Sequence, residues 1–244
     1  RVVGIGRGAR ARIRVDGPES EGISLEKSDG AWRIPDLGGF PASALKVDAL
    51  LGKLASLQKR LPVATSEDAA RRFRVADEAY ERRLSLEGPD GPVASLYLGD
   101  SSGFRRLFVR AAGEPEVYEA ELALFDASGK ADDWTDKRYL HVASEDIRRL
   151  ALPDATLERT DDGWVLADAA EGEAIDQAAA ADALSTFANL DFRGVLRPGK
   201  AKGTEGEPET VIGVTLASGE TREYRLYDSP EGDVRLLQLS SEPY

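Results

Sequence analysis

The sequence predicts an α+β protein in which one unit occurs twice, each copy an antiparallel sheet covered by an amphipathic helix. Three observations lead to this prediction. The ten residues that begin at Leu25 return at Leu157 without a gap. An apolar segment with helical spacing follows each copy, and short alternating segments bounded by turn residues follow each helix. We therefore expect two similar halves with the order β-β-β-α-β-β-β.

The repeated pattern is a predicted β-hairpin. Residues 25–34 align with residues 157–166 at an offset of 132, and apolar residues alternate with polar ones in both copies. Asp29-Gly30 supplies the first turn, because aspartate and glycine tolerate the positive φ of a two-residue hairpin loop. The second copy, Asp161-Asp162-Gly163, is expected to keep the same turn chemistry.

Each hairpin carries one tryptophan at the same place, Trp32 in the first copy and Trp164 in the second. A tryptophan beside an amphipathic helix has a core to fill, so we expect both rings to be buried. The alternative is a pair of exposed stacking platforms. The expected neighbours are Leu51 and Leu54 for the first ring, and Leu184 and Phe187 for the second.

Two long helices and one short helix are predicted. Apolar residues recur at helical spacing over Pro41–Leu57, with Pro41 at the start, and over Ile175–Leu190, with Asp176 near the start. A short helix is expected after Thr65, with Thr65 or Ser66 as its N-cap.

The other predicted strands are short alternating segments. In the first half they are 11–15, 82–88, 94–99, 104–111 and 116–122, and in the second half 148–152, 211–217, 222–227 and 234–240. Leu84 aligns with Val214 and Leu96 with Tyr224. The segment 234–240 could extend a partner's sheet by edge pairing.

The expected domain organisation is a first repeat over 1–120, a connector over 121–145 and a second repeat over 146–244. The connector should have helical and turn character. Residues 197–209 are rich in Gly, Pro and charge and are expected to form a mobile loop. Pro243-Tyr244 aligns with Val117-Tyr118, so either the second copy stops one strand short or the natural chain continues past Tyr244.

Charge and composition restrict the function. The net charge is −12, which argues against nucleic acid and anionic lipid as partners, because both require a basic surface. The chain has no cysteine, so it has neither a disulfide nor a thiolate metal site. It has no methionine either, and we expect a signal peptide or membrane anchor to precede Arg1.

No segment predicts a complete site, and we predict no catalytic residue, no cofactor and no metal. The single histidine, His141, is expected to be structural. Gly4–Gly8 lacks the lysine of a phosphate loop, and Asp126–Asp133 lacks the closing glutamate of a calcium loop. The basic cluster Arg71–Arg74 is expected to face solvent, with contact to an acidic partner as the alternative.

The chain resembles the bacterial family catalogued as domain of unknown function 4340. The resemblance rests on the order of several patterns: the hairpin from Ile23, the helix from Phe40, the segment from Val63 to Arg82, and the segment from Asp132 to Leu152. It implies an exported domain behind one N-terminal membrane anchor, often encoded beside ABC transporter components of the gliding-motility type. The family supplies no catalytic residues to assign here.

The expected function is therefore a non-enzymatic accessory domain in the periplasm or outside the cell, tethered to the inner membrane. Its expected partner is a protein of an ABC-type transporter or of the envelope machinery, with no nucleic acid partner. Two alternatives remain open: a carboxylate-dependent hydrolase of envelope glycans, and a small-ligand module with a cleft between the repeats.

Overall fold

A computed structural model describes residues 10–18, 21–170, 175–200, 202–229 and 232–240. The chain divides into two compact units, Arg1–Asp136 and Lys137–Tyr244. Each unit is built on an antiparallel sheet with few helices, so the predicted α+β class is confirmed. The division falls inside the segment 121–145, which contains three 3₁₀ turns, at Leu124–Ala127, Ala131–Trp134 and Ser144–Asp146.

The first unit contains eight strands and two α-helices in its described residues. They are β1 (Ala11–Asp16), β2 (Ile23–Ser28), β3 (Ala31–Ile34), β4 (Phe40–Pro41), α1 (Ala44–Ser56), α2 (Glu67–Arg72), β5 (Arg82–Gly88), β6 (Gly91–Gly103), β7 (Arg106–Ala111) and β8 (Val117–Ala120). The order across the sheet is β4-β3-β2-β1-β5-β6-β7-β8.

The second unit contains six strands and one α-helix in its described residues. They are β9 (Ile147–Ala151), β10 (Thr156–Thr160), β11 (Gly163–Leu166), α3 (Gln177–Ala188), β12 (Thr210–Leu216), β13 (Thr221–Asp228) and β14 (Arg235–Leu239). The order across the sheet is β11-β10-β9-β12-β13-β14. The described residues of 197–209 form turns without a helix or strand.

The helices begin close to where their capping residues predict. Ser66 caps α2 by accepting from the Ala69 N–H, and Asp176 caps α3 by accepting from two N–H groups of its first turn. The predicted role of Pro41 at a helix start is wrong. Pro41 lies in β4 opposite Arg33, where its carbonyl accepts from the Asp136 N–H at 3.0 Å.

The two hairpins use different turns. Asp29 and Gly30 both have positive φ, 52° and 81°, as a two-residue loop of the predicted kind requires. In the second hairpin the loop residues are Asp161-Asp162, and the positive φ, 127°, lies one place later at Gly163. The prediction of identical turn chemistry is therefore wrong, although the strand register is the same.

The core of the second unit joins the sheet to its helix. Leu184 and Phe187 of α3 belong to one buried cluster with Tyr224, and the Phe187 and Tyr224 rings meet edge to face at 4.8 Å. Trp164 is only partly buried against this cluster, whereas Trp32 is 4% exposed. Burial is thus confirmed for Trp32 and only partial for Trp164.

A buried arginine fastens the segment before β5 onto the first sheet. Arg110 of β7 donates to the carbonyl oxygens of Val75 and Glu114 at 2.6 and 2.9 Å, and also to the Asp77 carboxylate. Its guanidinium lies over the Tyr97 ring, 4.8 Å from the centroid. The hydrogen bond from Arg110 holds the pKa of the Asp77 carboxyl below its ordinary value.

Replacing Arg110 by methionine should lower the free energy of unfolding by about 2–4 kcal/mol, because it leaves two carbonyl groups without their charged donor. Urea denaturation measures this loss. The matched control is Arg106→Met in the same strand, whose exposed pair with Glu121 should be worth less than about 1 kcal/mol. Equal losses in the two variants would show that Arg110 does not hold the segment.

Candidate functional site

The candidate site is the edge of the second sheet that β14 forms. It differs from the other sheet edges, which are protected. An open edge presents unpaired N–H and C=O groups that another strand can bind. β4 has only two residues, and the next residue, Ala42, is bridged to Thr135. At the other end of that sheet, Val117 of β8 bonds to the backbone of Val63 and Ala64 at 2.8 and 2.9 Å.

The edge strand β11 is protected by a side chain. The amide of Gln177, at the start of α3, donates to the Trp164 carbonyl at 2.7 Å and accepts from the Trp164 N–H at 3.4 Å. Both backbone groups at the centre of β11 are therefore occupied, as they would be by a neighbouring strand. In the first unit the carbonyl of Trp32 accepts from the Ala42 N–H at 2.9 Å.

β14 is the sheet edge that remains. The Ser240 N–H donates to the Glu223 carbonyl at 3.0 Å, which continues the β13–β14 ladder. Inward and outward backbone groups alternate along an antiparallel strand, so the N–H and C=O of Leu237 and Leu239 point away from β13. Among the described residues, no strand pairs with β14 on that side.

The side chains of β14 suit an added strand. Leu237 and Leu239 pack in or against the core cluster of the second unit. The Arg235 side chain is 57% exposed and lies 3.4 Å from the Glu209 carboxylate. The strand thus presents apolar residues towards its end, a cation at its beginning, and no acidic residue.

Two depressions on the sheets are weaker candidates for a binding site than the β14 edge. One, of about 440 Å³, is lined by Glu145, Arg148, Arg159, Thr160 and Asp161. The other, of about 260 Å³, is lined by Arg12, Arg14, Asp16, Ser24, Arg83, Ser85 and Glu87. Several of their charges are already paired, as in the ion pairs Arg14–Asp16 and Arg12–Glu87.

The residues singled out from the sequence, His141, Asp126 and Asp133, are each engaged by a different partner. His141 Nε2 is 3.2 Å from an Asp191 carboxylate oxygen, on the surface of the second unit. Asp126 accepts from Lys53 at 2.6 Å, and Asp133 accepts from the Ser128 hydroxyl. These two carboxylates are therefore engaged in separate local bonds.

Two of the three arginines in the basic cluster Arg71–Arg74 form ion pairs within the chain. Arg71 is within 3.8 Å of Glu67, 3.5 Å of Asp68 and 3.0 Å of Glu78. Arg74 pairs with Glu81. The hydrogen bond from Arg71 lowers the pKa of the Glu78 carboxyl. The third arginine, Arg72, lies over the Phe73 ring, 4.7 Å from its centroid.

The described ranges contain no group of three or more acidic or histidine side chains that could hold a metal ion. They also contain no helix long and apolar enough to cross a membrane. Gly4–Gly8 and Pro243-Tyr244 lie outside the described residues.

Sequence reasoning missed Gln177 and Arg110. Gln177 reads as an ordinary polar residue in the first turn of a helix, and its strand-like bonds depend on where α3 docks. Arg110 carries no local signal of burial, because the alternation of β7 assigns its position to solvent.

The family comparison identifies the family of the chain and says nothing of its chemistry. A family model described as Domain of unknown function (DUF4340) matches residues 32–212. No curated protein and no solved structure matches the chain significantly. The match covers β3 to the middle of β12, so it includes parts of both sheets, and the chain belongs to the DUF4340 family.

Proposed function

We propose that this chain is a non-enzymatic accessory module that binds a partner protein through the edge of β14. The observation that carries the proposal is the contrast between β14 and the other sheet edges. β4, β8 and β11 are each blocked by backbone or side-chain hydrogen bonds. Natural proteins protect their edges because an open edge recruits strands, so an edge left open is a candidate binding site.

The cellular setting is proposed from the family resemblance. The module works outside the cytoplasm, tethered to the membrane by a segment before Arg1, and its partner is a protein of an ABC-type transporter or of the envelope machinery. The net charge of −12 supports a protein partner over nucleic acid. The glycan-hydrolase alternative needs two carboxyl groups across a cleft, one of them shielded enough to keep a raised pKa.

The two units are proposed to be copies of one ancestral unit. The order β3-β2-β1-β5-β6-β7 in the first sheet corresponds to β11-β10-β9-β12-β13-β14 in the second. A cross-strand ion pair recurs as Arg12–Glu26 and Arg149–Glu158, at 2.9 and 2.8 Å. A cation over a tryptophan recurs as Lys27–Trp32 and Arg159–Trp164, at 5.8 and 5.9 Å.

The strand register gives the alignment of the copies. Ile13 pairs with Leu86 and Leu150 with Val214, which aligns Leu86, rather than the expected Leu84, with Val214. One offset of 128 then relates β5, β6 and β7 to β12, β13 and β14. Along the sequence the same offset brings Glu242-Pro243 onto Glu114-Pro115, the residues just before β8.

Site-specific photo-cross-linking in native membranes tests the binding function. A photoreactive residue at Arg235, the first residue of β14, or at Ser240, the residue after its end, should form an adduct with one membrane-associated protein. The same residue at exposed Ser218, in the β12–β13 turn, is the matched control and should not.

Two substitutions separate the backbone edge from the side chain. Leu237→Pro removes the outward N–H and should abolish the adduct, whereas Leu237→Ala shortens the same side chain, keeps the N–H and should retain it. Adducts that persist in the proline variant, or that form equally from Ser218, would contradict binding at the β14 edge.

A further inference from the structure

The larger polar depression lies where β9 begins and β10 ends, and its charges suit a small molecule. It is lined by Glu145, Arg148, Arg159, Thr160 and Asp161, and its volume of about 440 Å³ is typical of small-molecule sites. We infer that it binds a small zwitterion, a ligand that carries a carboxylate and an ammonium group as an amino acid does. This site is separate from the β14 edge and does not depend on the proposed function.

Two arginines of the depression converge on one backbone oxygen. The Glu145 carbonyl accepts from Arg148 Nη1 at 2.7 Å and lies 3.4 Å from Arg159 Nη1. The two nitrogen atoms are therefore no more than about 6 Å apart, and two cations at that distance repel each other. An anion bound between them would remove this repulsion.

Neither of these arginines has an acidic partner. Within the described residues, no ion pair joins Arg148 or Arg159 to a carboxylate, and their hydrogen bonds go to backbone carbonyls. The adjacent residues of the same two strands differ, because Arg149 lies opposite Glu158 and donates to it at 2.8 Å. The sheet thus neutralises one arginine and leaves two others with N–H donors for a ligand.

The pair of arginines is not required by the fold. Under the proposed duplication, Lys27 is the counterpart of Arg159, and it lies opposite Ala11, the counterpart of Arg148. The first unit therefore has one cation where the second has two. The Arg159 guanidinium is also held from one side by the Trp164 ring, 5.9 Å from its centroid, which orients its donors before a ligand arrives.

The other lining groups accept hydrogen bonds. Glu145 and Asp161 line the same depression, and their carboxylates form no ion pair within the described residues. The Thr160 hydroxyl donates to the Gly163 carbonyl at 3.0 Å, which leaves its oxygen able to accept from a ligand.

This combination of groups favours a ligand with both charges. A carboxylate can take two parallel N–H bonds from an arginine, and an ammonium group can donate to carboxylate and hydroxyl oxygens. A simple anion such as phosphate would meet the two carboxylates, and a simple cation would meet the two arginines. The depression therefore selects against ligands of a single charge.

Titration of three matched probes into the ¹⁵N-labelled protein tests the inference. L-alanine carries both charges, propionate lacks its ammonium group and ethylamine lacks its carboxylate. We expect alanine to shift the backbone amide resonances of Thr160 and Asp161 and the Nε–Hε resonances of Arg148 and Arg159. Propionate and ethylamine should each bind about tenfold more weakly, because each lacks the charge-assisted hydrogen bonds of one group.

Protein variants locate the effect. Arg148→Gln and Arg159→Gln should each weaken alanine binding about tenfold, whereas the matched control Arg149→Gln, in the same strand, should leave it unchanged. Arg148→Gln removes one of two repelling charges, so its urea midpoint should not fall, as it would for a structural arginine. If this variant does not fold, Arg148→Lys keeps the charge, loses the planar fork and should still weaken binding.

Four outcomes would overturn the inference. Absence of shifts with alanine removes the site, and equal binding of propionate removes the ammonium group from the ligand. Equal weakening by Arg148→Gln and Arg149→Gln would assign the binding to general surface charge. A lower urea midpoint for Arg148→Gln with alanine binding retained would assign Arg148 a structural role.

Discussion

Gly99→Ala is expected to lower the free energy of unfolding by on the order of 3 kcal/mol, although it adds one methyl group. Gly99 lies in β6 where the backbone of the preceding turn crosses the strand. A Cβ atom there would overlap the Phe73 carbonyl oxygen and lie 2.7 Å from the Arg74 carbonyl oxygen. Backbone atoms cannot move aside cheaply, and the Asp100 N–H bonds that same Phe73 oxygen at 3.0 Å.

The control for this prediction is Gly103→Ala, in the same strand. A Cβ atom at Gly103 meets nothing within 4 Å, so the change should stay within about 0.5 kcal/mol. Urea denaturation of both variants measures the difference. Similar midpoints for the two variants would mean that the turn at Phe73 and Arg74 does not press on β6.

Trp32→Ala is expected to cost on the order of 3–5 kcal/mol, and Trp164→Ala clearly less, about 1–3 kcal/mol. The first ring is 4% exposed, while the second is only partly buried against its core. Each ring already has a cation close to its face, Lys27 or Arg159, so the two sites differ mainly in burial.

Calorimetry or denaturant unfolding of the two tryptophan variants provides the measurement. Each of the two variants, Trp32→Ala and Trp164→Ala, serves as the control for the other. A loss below about 1 kcal/mol at Trp32 would mean that the ring is not part of the core, and the stacking-platform reading would then be favoured.

The sequence predicted the strands well because their signals are local. Apolar and polar residues alternate in a strand whose two faces have different surroundings, and burial alternates in this way along β1. Capping chemistry is equally local, which is why Ser66 and Asp176 were identified at helix starts.

The misses depend on contacts between distant parts of the chain. Pro41 suits either a helix start or a short edge strand, and the choice is made by its strand partner Arg33 and the Asp136 N–H. Under the proposed duplication, the strand register aligns Leu86, rather than Leu84, with Val214. A shift of two keeps every side chain on the same face, so alternation cannot detect it and only the pairing with β1 and β9 does.

The candidate site was only half visible in the sequence. The segment 234–240 reads as a strand able to pair by its edge. What distinguishes β14 from the other edge strands is that Gln177 bonds to the backbone of β11 and residues 63–64 bond to that of β8. Neither contact can be predicted from a local sequence pattern.

Hydrogen exchange of single amides tests the central claim, that β14 is open where β7 is covered. In the protein alone, the outward amides of Leu237 and Leu239 should exchange at least about a hundredfold faster than the Val109 amide, which faces β8. The inward amide of Ser240, bonded to Glu223, serves as the protected reference in the second unit. Protection of Leu237 and Leu239 equal to that of Val109 would contradict an open edge at β14.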